Sequence, residues 1–263
     1  MSDYIKRFSL KGKVIFITGG VGLIGSEVSM ALAASDANVI ILDINKKIGV
    51  ELAKKINDQG QNADYQYFDI SHTALIKKNI QKLLKKYKRI DAWINAAYPR
   101  TKDWSTVLDK IQVKSWQKNI DMHLNGYCLT SHFACQSMKK QESGSVINFG
   151  SIYGVAAPDF SAYSGTTMTM PAAYAAIKGG VISFSRYLAA YYGKYNIRVN
   201  VISPGGVNNN LPVNFVKKYT EKTLLNRMAR PQDIAAGAVY LISDAGRYIT
   251  GHNLIIDGGW SVT

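Results

Sequence analysis

The chain has 263 residues, of which 47% are hydrophobic and 19% charged, and it carries a net charge of +14. This size and composition predict one α/β domain that spans residues 1–263. No apolar run approaches the ~20 residues that a membrane helix needs, and the N-terminus lacks the apolar core of a signal peptide. Cys128 and Cys135 have neither the number nor the spacing of a disulfide framework or a zinc site. We therefore expect two reduced thiols, no metal and a cytoplasmic protein.

The excess of basic residues is compatible with a nucleic acid, an anionic membrane or an acidic small molecule as a partner. The lysines are densest over residues 77–89, where they alternate with Ile80, Leu83 and Leu84. This pattern predicts a helix whose basic side is solvated. No nucleic-acid-binding motif accompanies it. We therefore expect neither a nucleic-acid nor a membrane partner, while an anionic small-molecule substrate stays open.

A glycine-rich turn follows the first predicted strand. Lys13–Thr18 is an apolar run typical of a strand buried on both faces, and a helix begins at Ser26 after the glycines. A second buried strand, Asn38–Asp43, ends in an acid. This order predicts a dinucleotide site whose pyrophosphate lies at the helix N-terminus. The residues of the turn that we expect to bind the cofactor are Gly19, Gly20, Gly22, Leu23, Ile24 and Gly25.

Asp43 indicates which dinucleotide is bound. A carboxylate at the end of the second strand can accept hydrogen bonds from both ribose hydroxyls of NAD and would repel the 2′-phosphate of NADP. We therefore predict NAD. The alternative role for Asp43 is to cap the helix that begins near Asn45. Lys46 and Lys47 are close enough in sequence to leave NADP open.

Further strands and helices alternate along the rest of the chain. We predict strands over residues 63–68, 90–95, 144–151, 197–202 and 253–257. We predict helices over residues 46–59, 73–88, 113–139, 172–193 and 231–242. Three longer connections are a polar and aromatic loop over residues 98–110, a segment rich in Gly, Ser, Thr and Met over residues 152–171, and a lid over residues 207–226.

Tyr174 and Lys178 are candidates for acid–base chemistry. Their spacing of four puts both side chains on one face of the predicted helix. A free phenol titrates near pH ~10, but a nearby ammonium favours the phenolate and lowers that pKa. Ser151 lies at the carboxyl end of the fifth strand, where ligands bind in open parallel sheets. Together these three residues predict proton exchange with a bound substrate.

With these residues, the chain resembles the short-chain dehydrogenase/reductase family over nearly its whole length. The residues that carry the resemblance stand in family order: Leu10-x-Gly-Lys-Val14, the glycine turn, Asp69, Asn95-Ala-Ala, Ser151, Tyr174-x-x-x-Lys178, Pro204-Gly205 and Thr250-Gly-x-x-Leu-x-x-Asp-Gly-Gly259. The resemblance implies a doubly wound parallel sheet of about seven strands, flanked by helices on both faces in a Rossmann-type fold. It also implies nicotinamide-dependent oxidation of alcohols or reduction of carbonyls, and assembly into a homo-dimer or homo-tetramer.

The resemblance further implies a role for each matching residue. Tyr174 exchanges a proton with the substrate oxygen, Ser151 hydrogen-bonds that oxygen, and Lys178 holds the nicotinamide ribose and lowers the tyrosine pKa. Other residues that match the family's cofactor contacts are Asp69, Ile70, Asn95, Ala96, Pro204, Gly205 and Val207, beside Tyr174 and Lys178 themselves.

The sequence departs from the family pattern at several positions. Glycines at 19, 22 and 25 follow the spacing of the family's extended branch, whereas the length fits the compact branch. Asn95-Ala-Ala-Tyr98 ends in Tyr where the family usually has Gly. His123 stands seven residues after Trp116, where the family has a catalytic Asn. Asn125 lies on the opposite side of a regular helix and cannot substitute for it. His123 either joins the proton relay or only packs.

The connection between Ser151 and Tyr174 is longer than is common in the family. Its residues 158–171 resemble a subgroup that works in bacterial surface-glycan and flagellin-modification pathways. Hydroxyl groups in this segment, together with Arg100 and Lys102, would suit an anionic sugar or nucleotide-linked sugar. The alternative is a solvated loop without a ligand. A non-catalytic NAD-binding sensor and a reductase of lipid-like carbonyl compounds remain alternative functions.

Overall fold

The computed structural model describes residues 3–263, and its centre is one parallel sheet of seven strands. The strands are β1 Val14–Thr18, β2 Asn38–Asp43, β3 Asn62–Tyr67, β4 Ala92–Asn95, β5 Gly144–Phe149, β6 Ile197–Pro204 and β7 Asn253–Ile256. Their order across the sheet is β3-β2-β1-β4-β5-β6-β7. The order reverses between β1 and β4, which is where a doubly wound sheet opens its binding crevice. The predicted doubly wound parallel sheet is confirmed.

Nine α-helices lie along residues 3–263. They are α1 Asp3–Lys6, α2 Leu23–Ala34, α3 Lys46–Asn57, α4 Ile76–Tyr87, α5 Val113–Asn119, α6 Gly126–Lys139, α7 Ala172–Tyr192, α8 Val213–Glu221 and α9 Pro231–Ile242. None of the helices over these residues combines the length and the apolar composition that crossing a bilayer requires.

Helices cover both faces of the sheet because the strands are apolar on both faces. Alternate residues of β1 point to opposite sides, so Phe16 belongs to one core and Ile15 and Ile17 to the other. The first core is closed by α4, α6 and α7, and the second by α2, α3 and α9. Continuous apolar runs are typical of strands that are buried in this way.

All seven strands lie within two residues of their predicted bounds, and the larger differences are in the connections. The predicted helix over residues 113–139 contains a π-helical segment, Ile120–Asn125, between α5 and α6. The segment 152–171 is partly ordered by two short 3-10 turns, Ile152–Gly154 and Phe160–Tyr163. The predicted lid contains α8. These irregular segments lie around the carboxyl ends of the strands, where the candidate site is.

Candidate active site

A cleft of about 940 Å³ opens at the carboxyl ends of the strands. Its size is in the range of small-molecule sites. Most residues that the sequence predicted for the site line this cleft: Gly19, Gly22, Leu23, Ile24, Gly25, Asp43, Asp69, Ile70, Ala96, Ser151, Tyr174, Lys178, Pro204, Gly205 and Val207. The fold therefore gathers residues that are up to 188 positions apart, from Gly19 to Val207, around one cavity.

The glycine turn packs so closely that side chains are excluded. Gly19 has φ +67°, and a Cβ there would lie 2.4 Å from the Cα of Ala97. A Cβ on Gly25 would lie 2.1 Å from the carbonyl oxygen of Gly19. The N-terminus of α2 follows directly, and no side chain caps it. Its free N–H groups and positive dipole end suit a pyrophosphate, so this end of the cleft fits a dinucleotide.

Asp43 faces the same end of the cleft and is held by backbone amides. Its carboxylate accepts hydrogen bonds from the N–H groups of Val21 (3.3 Å) and Asn45 (3.0 Å). Asn45, not Asp43, caps α3, because its side chain accepts from the N–H of Ile48 at 3.2 Å. The helix-cap alternative for Asp43 is therefore excluded. A negative charge rigidly placed beside the glycine turn is available to a ribose.

Asn95, Gly20 and His123 do not line the cleft, although the sequence suggested them for the site. Asn95 is fully buried, and its side-chain amide group donates to Asn148 at 2.8 Å and to Ser131 at 3.0 Å. Its carbonyl oxygen accepts from the indole N–H of Trp93 at 2.9 Å. Asn95 therefore links β4 to the neighbouring β5 and α6 behind the cleft wall. Its position does not allow direct contact with a cofactor in the cleft.

Tyr174, Lys178 and Ser151 converge in the middle of the cleft. α7 presents Tyr174 and Lys178 on one face, and Lys178 Nζ donates a 2.7 Å hydrogen bond to the carbonyl oxygen of Phe149 at the end of β5. Ser151 follows β5 and begins the turn Ile152–Gly154. Gly154 lets this turn approach α7, since a Cβ there would lie 2.9 Å from the carbonyl carbon of Lys178. A phenol, an ammonium and a hydroxyl thus meet at one wall.

Burial changes the acid–base properties of this group in a way that the spacing did not predict. Burial raises the pKa of Tyr174, and the neighbouring Ser151 hydroxyl opposes the rise only in part. Burial also lowers the pKa of Lys178 from 10.5 to about 7. The expected net lowering of the tyrosine pKa is therefore wrong, because removal from water disfavours the phenolate more strongly than the Ser151 hydroxyl favours it.

Aromatic rings pack around the phenol of Tyr174. The ring of Tyr98 stands edge-to-face on that of Tyr174 at 5.8 Å between centroids, and Trp104 does the same at 6.3 Å. The indole N–H of Trp104 donates to the Tyr98 hydroxyl at 2.9 Å. The aromatic character of residues 98–104 was visible in the sequence, but its contact with Tyr174 depends on the tertiary fold.

The outer part of the cleft is built by residues that the sequence reasoning did not single out. Tyr153, Tyr163, Phe215, Tyr219 and Met228 line it. The hydroxyls of Tyr153 and Tyr163 lie 3.4 Å apart, and the rings of Tyr163 and Phe215 are 5.0 Å apart. Tyr153 lies only two residues after Ser151, which was the one signal for it. Tyr163 comes from the turn Phe160–Tyr163, Phe215 and Tyr219 come from α8, and Met228 comes from the connection between α8 and α9.

The segment 158–171 and α8 hold each other over the cleft. Lys222 lies 3.4 Å from the Asp159 carboxylate, and Lys218 donates to the carbonyl oxygen of Ser164 at 3.0 Å. Arg100 lines the cleft and is exposed, whereas Lys102 does not line it. Of the two predicted cations, the structure thus brings Arg100 alone to the cavity wall.

Comparisons with known proteins agree with this architecture. A family model described as enoyl-(acyl carrier protein) reductase matches residues 22–261. A post-translational flagellin modification protein A of Campylobacter coli is 31% identical, over 96% of this chain and 100% of that protein. A 3-oxoacyl-(acyl-carrier-protein) reductase of Chlamydia muridarum is 32% identical, over 95% of this chain and 98% of that protein.

Two solved structures are also similar. A short chain dehydrogenase from Leptospira borgpetersenii with bound NAD+ is 32% identical, with a TM-score of 0.84 over 99% of this chain and 96% of that one. A gluconate 5-dehydrogenase from Burkholderia cenocepacia in complex with NADP and tartrate is 25% identical, with a TM-score of 0.87 over 98% of this chain and 99% of that one.

The sheet order, the cleft and these similarities define the class of the protein, which is that of oxidoreductases with a nicotinamide cofactor. The chain belongs to the short-chain dehydrogenase/reductase family and is a dehydrogenase/reductase that acts on CH–OH groups.

Proposed function

We propose that the protein is an NAD-dependent oxidoreductase that interconverts a secondary alcohol and a ketone on a sugar or sugar derivative. The observation that carries this proposal is one cleft with Asp43 and the glycine turn at one end and Ser151, Tyr174 and Lys178 in the middle. A dinucleotide along the turn would bring its reactive ring toward the phenol. A binding-only protein has no need of this group of three.

The proposed chemistry assigns one task to each side chain. The nicotinamide, when bound, supplies or takes up the hydride. Tyr174 donates a proton to the carbonyl oxygen in reduction and accepts it from the hydroxyl in oxidation. The Ser151 hydroxyl hydrogen-bonds the same oxygen and orients it. Lys178 would hold the nicotinamide ribose, anchored through its bond to the Phe149 carbonyl oxygen.

NAD is the proposed cofactor because of the charge of Asp43. The carboxylate is 9% exposed and fixed by two backbone amides, so it cannot swing away from a 2′-phosphate without losing both bonds. Gly19, Gly22 and Gly25 would hold the pyrophosphate, and Asp69 and Ile70 would hold the adenine. The bound NAD+ of the Leptospira relative supports this choice.

The sugar-type substrate is supported by the polar groups of the outer cleft. Tyr153, Tyr163 and Asn209 supply hydrogen-bonding groups, and the Arg100 guanidinium supplies a positive charge for an acidic substituent. The flagellin-modification relative and the tartrate in the gluconate dehydrogenase support the same class.

A second candidate substrate is an acyl or other lipid-like ketone. Met168, Met170, Leu211, Phe215 and Met228 give the same region a large apolar surface. The 3-oxoacyl reductase similarity at 32% identity supports this candidate. The two classes differ in charge and polarity, so one assay distinguishes them.

The test is NADH oxidation and NAD reduction with a panel of keto sugars, sugar acids, nucleotide-linked sugars and 3-oxoacyl thioesters. Tyr174→Phe is run beside the native protein, and we expect its kcat to fall about 100- to 10,000-fold while NADH still binds. Turnover of 3-oxoacyl thioesters alone would replace the sugar proposal by the second candidate. NADH binding with no turnover on any compound would support a non-catalytic protein.

We further propose that the protein assembles with copies of itself. Three rings on the outer side of α7 form a stacked row, with Phe184 to Tyr187 at 6.0 Å and Tyr187 to Tyr191 at 6.3 Å between centroids. Tyr187 is 61% exposed and Tyr191 54% exposed. Sedimentation of the native protein and of Tyr187→Glu/Tyr191→Glu tests this, since a dimer or tetramer through this face would dissociate in the double variant.

A further inference from the structure

His123 lies at the irregular point of the helix that runs beside the active site. The π-helical segment Ile120–Asn125 turns its side chain toward α7, and the residue is 0% exposed. The imidazole is wedged between two aromatic rings, with centroid distances of 5.4 Å to Tyr98 and 5.0 Å to Tyr127. The ring therefore has little freedom to rotate, and its contacts are a fixed part of the site.

One of these contacts is with Lys178. The Nε2 atom of His123 lies 3.4 Å from Lys178 Nζ, which also donates to the Phe149 carbonyl oxygen at 2.7 Å. The Tyr127 ring packs against the same ammonium at 5.0 Å from its centroid. Two polar contacts and a ring face thus define where Lys178 Nζ lies.

The other ring nitrogen determines what His123 can do. Its Nδ1 atom is buried and has no hydrogen-bond partner among residues 3–263. While Lys178 is protonated its ammonium only donates hydrogen bonds, so Nε2 then carries the lone pair and Nδ1 the proton. The charged and titratable groups around the ring are Lys178, Tyr98 and Tyr127. Burial and the positive charge of Lys178 both lower the pKa of His123 well below its usual value, so the ring stays neutral.

We propose that His123 is a positioning residue, which accepts a hydrogen bond from Lys178 through Nε2 and holds the ammonium at the ribose position without passing a proton onward. A relay would need a hydrogen-bonded partner on each ring nitrogen, and residues 3–263 supply one for Nε2 only. This inference rests on the proposed function for the task of Lys178. The His123–Lys178 contact itself does not depend on the substrate.

The first test observes the ring directly. Two-bond 1H–15N spectra of the histidine-labelled protein with NADH present should show His123 as the Nδ1–H tautomer at about pH 6, where the Lys178 amine is protonated. The chain has four histidines, so the His123 signal is identified by its loss in His123→Gln. An imidazolium or an Nε2–H tautomer at this pH would overturn the proposal.

The second test separates an acceptor from a proton carrier. In His123→Gln the side chain is long enough to place its amide carbonyl oxygen where Nε2 lies. His123→Phe keeps a ring and removes the acceptor. We expect the NADH dissociation constant to rise about tenfold in the Phe variant and to be restored to within about threefold in the Gln variant. A kcat for the active substrate should follow the same order. Equal losses in both variants would show that an acceptor at the Nε2 position does not restore NADH affinity and would overturn the positioning role.

These measurements distinguish a failure of the proposed role of His123 from a failure of the proposed substrate class. The tautomer and the NADH affinity need no substrate, so they test His123 even if no compound of the panel turns over. If they hold while the panel is silent, the proposed substrate class fails and the role of His123 stands. Thermal unfolding of both variants identifies any that lose NADH affinity through misfolding, and His123→Asn then serves as a smaller replacement.

Discussion

At the residue scale, the active site is maintained at a cost to stability. Lys178 is 3% exposed and its pKa is lowered from 10.5 to about 7. Because the folded pKa lies below the unfolded one, the unfolded chain binds more protons between these two values. The stability contribution of this residue therefore rises with pH from about 7 to about 10.5 and is least favourable below that window. A residue chosen for packing alone would not be a lysine.

The first prediction follows from this cost. Lys178→Met keeps most of the packing and removes the buried amine, so the free energy of unfolding at pH 7 should rise by on the order of 2 kcal/mol while turnover is lost. Urea unfolding at a series of pH values measures it. Lys54→Met, at a side chain that is 76% exposed, is the control and should change little. A less stable Lys178→Met protein would contradict the prediction.

The second prediction concerns the charge that favours NAD. Asp43→Asn retains a carbonyl oxygen that can accept from the Asn45 amide and removes the negative charge. The ratio of NADPH to NADH dissociation constants should fall about tenfold, because repulsion of the 2′-phosphate is lost. Fluorescence titration of both cofactors measures it, and an unchanged ratio would show that Asp43 does not choose the cofactor.

At the scale of elements, the site depends on short irregular segments between regular ones. The glycine turn brings β1, α2 and the end of β4 together at distances that no side chain tolerates. The turn Ile152–Gly154 does the same between β5 and α7. In each case a backbone without a Cβ allows one element to support the reactive groups of another.

The third prediction tests the glycine turn as a unit. A methyl group on Gly25 would lie 2.1 Å from the Gly19 carbonyl oxygen, which is backbone and cannot move aside cheaply. Gly25→Ala should therefore unfold at a lower temperature and lose measurable NADH binding. Gly193→Ala is the matched control, since nothing lies within 4 Å of a Cβ there. Normal NADH affinity in Gly25→Ala would refute the close-packed turn.

At the scale of the whole molecule, the net charge of +14 indicates less about the ligand than the cleft does. The lysines of α4 lie on its exposed side, while Ile76, Ile80 and Leu83 are buried in the core. The basic residues of this helix therefore form a solvated face. The large concave surface is instead the cleft above the sheet.

The fourth prediction compares a ligand of the cleft with a ligand of the basic surface. NAD at 100 times its dissociation constant should stabilise the protein by about 2.7 kcal/mol and raise the melting temperature by about 5–10 °C. Duplex DNA or RNA at low salt should leave the melting temperature unchanged. A salt-sensitive shift with nucleic acid and none with NAD would reverse this expectation.

The sequence by itself determined the order of the elements and the chemical identity of most of the site. Buried strands in this fold are continuous apolar runs, and glycines, Asp43, Ser151, Tyr174 and Lys178 stand at fixed distances from them. Such local patterns are set by backbone geometry and by hydrophobic periodicity. Such patterns therefore suffice to predict the sheet and the family.

Only the tertiary structure decided what depends on neighbours from distant parts of the chain. In the folded protein Asn95 lies behind the cleft wall, and a π-helical segment places His123 against Lys178. The pKa of Tyr174 is raised instead of lowered. The physical reason is that burial, desolvation and hydrogen-bond partners are properties of the packed molecule. The spacing along one helix brings Tyr174 and Lys178 together. Their burial, however, depends on β5, α6 and the loop after β4, which exclude water from both side chains.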